Sequence, residues 1–258
     1  LVAGAVAFDT HVMASFSAVG PLSGDPARFY PDLVGCGLGL SMAQRDNEAV
    51  DFVGSGTSAA SPQVAGAAAQ LRARFPALNA VETKAILLVS CLDVSAQNPT
   101  RNRNSYGMGL LRNDRAHTIA EGGHFGSSTL SGSGTAQNVA VPVVAGVSYA
   151  MAIAWHRQDV TQSVWSDLNL EVLDGGGQPI AQSMTPRNLY EVVRFVAPYS
   201  GSVTMRASAA SVQGTMQPFS WAWFEVPFPA AVVTYGSGCN GTGLSPVQCV
   251  AVNAAGGV

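Results

Sequence analysis

Lysine occurs once in this chain, at Lys84, and charged residues of all kinds make up only 11 % of its 258 positions. Soluble chains average roughly 25 %. The arginines are scattered and form no basic cluster, and the formal net charge is −3. That balance argues against nucleic acid or an anionic membrane surface as a partner. No apolar run reaches the ~18–20 residues of a membrane span. No charged n-region with a cleavage site opens the sequence. The four cysteines, Cys36, Cys91, Cys239 and Cys249, lack C-x-x-C spacing and a neighbouring histidine pair, which argues against a structural zinc site. What is abundant is small: 28 glycines, with alanine, serine and threonine to match. An even cysteine count in a low-charge chain points to an oxidising, extracellular setting. Cys239 and Cys249 flank a loop, Asn240 to Gln248, that a disulfide could close. Cys36 and Cys91 are the other candidate pair, and sequence leaves the connectivity open. Asn240-Gly241-Thr242 is a glycosylation sequon. The length allows two domains.

The most informative stretch is Gly56-Thr57-Ser58-Ala59-Ala60-Ser61-Pro62-Gln63-Val64-Ala65-Gly66. Gly56 permits a tight turn where a side chain would strain the backbone or block a ligand. Thr57 or Ser58 is placed to cap a helix. Pro62 falls early, where a missing N–H costs least. The alanines that follow leave a helix thin enough to lie against a sheet, with Leu71 and Phe75 completing its apolar face and Pro76 helping to end it. A serine at such a helix start has its hydroxyl clear of the chain, beside free N–H groups and the positive end of the helix dipole, where an oxyanion is stabilised. The plainer reading of Ser58 is an N-cap on a core helix.

The eleven residues resemble the nucleophile motif of subtilisin-like serine proteases, the subtilase family. Gln63 stands where the family usually has histidine, at a position that is not catalytic. Other segments resemble the family in the same order. Leu1-Val2-Ala3-Gly4-Ala5-Val6-Ala7 is similar to its strand after the oxyanion asparagine. Ala14 to Pro21 resembles "SFSxxGP". Phe29 to Gly37 resembles "KPDLVAPG", with Gly-Cys for Ala-Pro. Tyr106 to Ala116 resembles "YGxGLLNxxxA". Asn79 to Leu92 reads as an amphipathic helix with Val81, Ala85, Leu88 and Leu92 on one face. The likeness covers residues 1–118.

A serine hydroxyl needs a base and a group to orient it. Family order is aspartate, histidine, serine, so both partners belong upstream of Ser58, as does the oxyanion asparagine. None is there. The histidines are His11, His117, His124 and His156, and none precedes Gly-Thr. Asp9-Thr10-His11 imitates a dyad, but neighbours on a strand point to opposite faces, and the tripeptide reads as a surface turn. His117 and His124 read as solvated loop residues and His156 as structural. The expectation is a fragment of a longer precursor or one part of a nicked protease, with loss of catalysis as the third explanation.

Texture changes after Ala120. Glu121 to Gly134 reads as linker. Strand candidates follow at Asn138–Val144, Val147–His156, Leu168–Leu173, Glu191–Val196, Ser202–Ala207 and Phe219–Val226, with hairpin signals at Asp174-Gly175-Gly176-Gly177 and Ser200-Gly201. They predict a β-sandwich or jelly roll, similar to sandwiches that follow some bacterial subtilase domains. Asp159, Asp167 and Asn169 are calcium candidates by their oxygen donors; turn-forming acids facing water are the plainer reading. Trp155, Trp165, Trp221 and Trp223 suggest a carbohydrate platform or a core.

The fold expected is α/β over 1–120, a partial subtilisin-like parallel sheet with helices, then an all-β sandwich over 121–231 and a Gly-rich tail or further module over 232–258. The resemblance implies a secreted or cell-surface serine endopeptidase. Ser58 would form the acyl-enzyme in the Gly56-Thr57-Ser58 turn, on protein or peptide substrates, with no required cofactor. A chain lacking the aspartate, histidine and asparagine would be inactive alone, with the N-terminal part of the same precursor as a candidate partner. The alternative is a non-catalytic binding or scaffold protein on a degenerate subtilase core.

Overall fold

Two short strands, β1 (Ala3–Ala7) and β2 (Leu33–Leu38), run parallel through the first half of the molecule, with Gly4 opposite Val34 and Ala5 opposite Gly35. The computed structural model describes residues 1–44, 47–159, 161 and 163–226. Cys239, Cys249, the sequon and the 232–258 tail lie outside the described residues. Alternation along β1 and β2 sends side chains to two layers. Val6 and Val34 face Met13, Val94 and Leu110, with Cys36 packed against that cluster. Ala5 and Leu33 face the other side, toward the first helix.

A ribbon, β3 (Leu40–Gln44) and β4 (Asn47–Gly54), leads from β2 into α1 (Thr57–Arg74). Ala60, Val64, Ala67 and Leu71 form the buried stripe of α1. Ala60, facing Gly35 and Gly37, lets the start of the helix lie very close to β2. A Cβ on Gly37 would stand 2.8 Å from the Gly56 carbonyl oxygen and 2.6 Å from Ala5 Cβ. Helix α2 (Ala80–Val89) opens with a capping box. Asn79 Oδ1 accepts from Val81 N and Glu82 N, and Glu82 Oε2 accepts from Asn79 N. The sequence predicts one apolar face for this helix. Instead every residue from Ala85 to Val89 is buried, because α2 is covered from two sides. A short α3 (Arg103–Tyr106) and α4 (Asn113–Glu121) follow. Between them Gly107, at φ 56°, lets the chain turn where a Cβ would meet the Asp32 carbonyl oxygen at 2.2 Å.

The second covering layer of α2 is a sandwich of eight antiparallel strands. They are β5 (Phe125–Leu130), β6 (Ala136–Val143), β7 (Ser148–Trp155), β8 (Asp167–Leu173), β9 (Pro179–Ser183), β10 (Tyr190–Val196), β11 (Gly201–Ser211) and β12 (Gln217–Val226). One sheet runs β10-β7-β12-β5 and the other β6-β11-β8-β9. Strand β7 shows how the layers meet. Tyr149, Met151, Ile153 and Trp155 enter the core between the sheets. Ala150, Ala152 and Ala154 face the opposite way and join Ile86, Leu87 and Leu88 in one apolar cluster. The residues read as linker, 121–134, contain β5, which pairs with β12 from Phe125 to Leu130.

Candidate active site

Ser58 is the second residue of α1, and it is exposed. The capping expectation is corrected here. Gly56 is the N-cap residue, extended in conformation, and no side chain caps the helix. Thr57 and Ser58 already lie inside the first turn. The amides at this end are therefore not consumed by a side-chain cap and point outward with the positive end of the dipole. Gly56 also keeps the space above clear, since a Cβ there would stand 2.8 Å from Ser58 Oγ. Pro62 sits deeper than the sequence suggests, at the sixth helical position. With no N–H, it leaves the Ser58 carbonyl without its i+4 donor.

Neighbouring bonds fix this turn. Gly56 N donates to Gly37 O at 2.7 Å. Gln63 Nε2 donates to Cys36 O at 2.7 Å and to Ala59 O at 3.2 Å. Gln63 thus clips the first turns of α1 to the carboxyl end of β2. Ala60 packs with Ala5 and Ala14, which brings the start of the 14–31 loop alongside. Among the described residues the Ser58 hydroxyl has no hydrogen-bond partner.

The histidines stand elsewhere. His11 turns at φ 57°. Its carbonyl accepts from Asn98 Nδ2 at 3.0 Å, and burial followed by the Arg112 charge lowers its pKa. Asn98 Oδ1 also accepts from Met13 N, in the layer on the far face of the β1–β2 pair. His117 lies on α4 beside Phe75, 6.0 Å between ring centres, so it is helical rather than a loop residue. His124 stacks on Trp223 at 3.8 Å. His156 is exposed at the end of β7, its carbonyl accepting from Gln217 Nε2.

Cys36 and Cys91 are free thiols. Cys36 packs with the Val34 layer and Cys91 with the Leu33 layer, on opposite faces of the sheet, so the candidate bridge between them is not formed. Burial raises both thiol pKa values, Cys91 to about 12. Asp159 Oδ1 accepts from Thr161 N and its hydroxyl. Asp167 and Asn169 lie on the half-buried face of β8, and burial raises the Asp167 pKa. Among the described residues no three His, Cys, Asp or Glu side chains gather as a metal site. The tryptophans do not form an open platform. Trp155 is fully buried, Trp221 and Trp223 pack on the sandwich core, and Trp165 is held between Arg157 and Arg187.

Comparison with known proteins follows this division. Residues 1–109 match the family described as Peptidase_S8, Subtilase family. The subtilisin-like protease PopC of Myxococcus xanthus is 37 % identical over 113 residues, which is 43 % of this chain. The chain spans 22 % of that relative's length. Among solved structures, the pre-peptidase C-terminal domain of Bacillus anthracis collagenase is 7 % identical with a TM-score of 0.30, covering 39 % of this chain and 87 % of its own. The lysozyme inhibitor PliG of Aeromonas hydrophila is 19 % identical with a TM-score of 0.27, covering 39 % and 84 %. At those scores neither likeness bears on function. Among the described residues no helix is long and apolar enough to cross a membrane.

Proposed function

Residues 1–109 belong to the subtilase family, and from that premise we propose that Ser58 is the nucleophile of a serine endopeptidase. The observation that carries the reading is an exposed hydroxyl on the first turn of an 18-residue helix whose N-terminus no side chain caps. Ser58 Oγ attacks a peptide carbonyl carbon and the C–N bond breaks, leaving an acyl-enzyme. The Ser58 N–H, aimed along the dipole, donates to the developing oxyanion. The reading requires an imidazole to take the Ser58 proton, a carboxylate to orient it and a second oxyanion donor, and the family's histidine and aspartate motifs do not occur among the 258 residues. Protein or peptide is the substrate, the step uses no cofactor, and the setting is extracellular. We read the sandwich as a jelly roll, a reading supported by the pairing of its first strand, β5, with its last, β12, and of its second, β6, with its seventh, β11.

An alkyl fluorophosphonate applied to the native protein tests this. Labelling at Ser58, abolished in Ser58→Ala, is the expected outcome. A native protein that carries the family's histidine and aspartate motifs and still takes no label would instead be a binding scaffold. Residues 1–258 alone should hydrolyse peptides at a rate lower by several orders of magnitude, since loss of a single triad member in subtilisin already costs about 10⁴–10⁶ in turnover.

A further inference from the structure

We propose that Gln63 is a positioning residue for Ser58: its side-chain amide, bonded across to β2, supplies the restraint that Pro62 takes away from the first turn of α1. The inference deepens the Ser58 reading and rests on it.

The turn that carries Ser58 is held with very little side-chain bulk. Ala60 lies over Gly35, where a Cβ would stand 3.0 Å from the Ala60 carbonyl oxygen. It also lies over Gly37, where a Cβ would stand 3.3 Å from Ala60 Cβ. Ala5 and Ala14 complete that contact. Methyl groups against bare backbone bury little area, so packing alone fixes the tilt of the helix start weakly. Hydrogen bonds have to set it. Ser55 Oγ accepts from Gly39 N at 3.1 Å, and Gly56 N donates to Gly37 O at 2.7 Å. Both bonds hold the chain entering the helix, before Ser58.

On the helical side the ladder is short of a bond. Pro62 stands four residues after Ser58 and has no N–H, so Ser58 O has no i+4 donor. Gln63 follows directly. Its Nε2 donates to Ala59 O at 3.2 Å, within the turn, and to Cys36 O at 2.7 Å, outside it. Ser58 therefore sits between ties to two adjacent residues of β2, Gly37 through Gly56 N and Cys36 through the Gln63 amide. Gln63 is exposed, so replacing it opens no cavity. Ser58 brings two groups to the reaction, Oγ as nucleophile and N–H as oxyanion donor. A tilt of the first turn displaces both at once, and a misplacement of about 1 Å can cost about 10²-fold. Both groups act in the transition state, so loosening the turn slows the chemical step and leaves probe affinity alone.

Saturation labelling of the native protein with an alkyl fluorophosphonate tests this. Gln63→Leu keeps the bulk and loses the donors. It should lower the limiting labelling rate about 2- to 10-fold, the net worth of a hydrogen bond. The half-saturating probe concentration and the final label per molecule should stay as in wild type. Gln63→His, which restores a ring N–H donor, should recover most of the loss. A limiting rate equal to wild type in Gln63→Leu overturns the proposal. Equal losses in the two variants overturn it too, because the donor would then not be the agent. A loss carried by the half-saturating concentration or by the final label assigns the effect to binding or folding, and also overturns it. Wild type that takes no label removes the Ser58 reading itself, whereas labelled wild type with unaffected variants removes only the role of Gln63.

Discussion

At the residue scale, the site's character comes from what small side chains permit. Gly56 leaves Ser58 Oγ uncovered and Gly37 lets the Gly56 carbonyl approach β2. The motif made Ser58 legible as a nucleophile candidate. It did not reveal that Thr57 lies inside the helix, because a Ser/Thr pair before an alanine run fits both an N-cap and a first turn. Nor did it reveal Glu191, which in sequence is an ordinary strand acid. Its burial shows only once β10 is placed across from β9, whose Ser183 donates to its carboxylate while Tyr190 and Val192 face the helices. That burial raises its pKa from 4.5 to about 7, against the lowering by its Ser183 and Thr185 hydrogen bonds. A carboxyl whose folded pKa exceeds its unfolded value contributes stability that is complete below the unfolded value and lost as pH rises through the folded one. Urea unfolding of wild type and Glu191→Gln should therefore diverge between pH 4.5 and about 7. The variant, already uncharged, should gain on wild type as pH rises, by an amount on the order of a few kcal/mol. Parallel curves across that window would mean the carboxyl titrates normally.

At the element scale, α2 joins the two halves. Its capping box is tied to the sandwich: Asn79 Nδ2 donates to Ser127 Oγ at 3.1 Å, and Ser127 Oγ donates to Glu82 Oε1 at 2.8 Å. Asn79→Ala removes the cap and should cost about 0.5–2 kcal/mol, read as a lower urea midpoint at unchanged slope. The two long helices were readable from composition and period. So were six of the sandwich strands, because Leu168, Leu170 and Val172 alternate with polar neighbours and β7 is a continuous apolar run. Strands β5 and β9 were not. Phe125–Leu130 carries Gly-Ser-Ser-Thr and Pro179–Ser183 opens on proline, so each reads locally as loop and becomes a strand through its partner, β12 or β8. The second apolar face of α2 was hidden for a related reason. A helix buried all round shows no single stripe, and nothing local in sequence says that a sheet built far downstream will cover it.

For the whole molecule, the question is whether the subtilase segment and the sandwich are two bodies or one. Their contact is a single apolar cluster running from Leu33, Val64 and Leu71 through Ile86, Leu87 and Leu88 to Ala152, Ala222 and Phe224. The polar atoms at this boundary are used as ties. Lys84 Nζ donates to Leu189 O at 2.8 Å, and burial lowers its pKa to about 8. Arg194 Nη2 donates to Cys91 O at 2.9 Å and to Met108 O at 2.7 Å. Stripping the sandwich away would expose both faces of that cluster and leave those carbonyls without their cations. One cooperative unit is the consequence. The chain supplies its own separate reporters for each half. All four tryptophans, Trp155, Trp165, Trp221 and Trp223, lie in the sandwich, while the four helices of the described residues lie before Gly122. Tryptophan fluorescence and helical circular dichroism should therefore melt together. Leu88→Ala, which opens a cavity in the shared layer, should cost about 2–5 kcal/mol and lower both transitions equally. If the helical signal fell first and fluorescence kept its wild-type midpoint, the sandwich would be an independent domain that merely rests on α2.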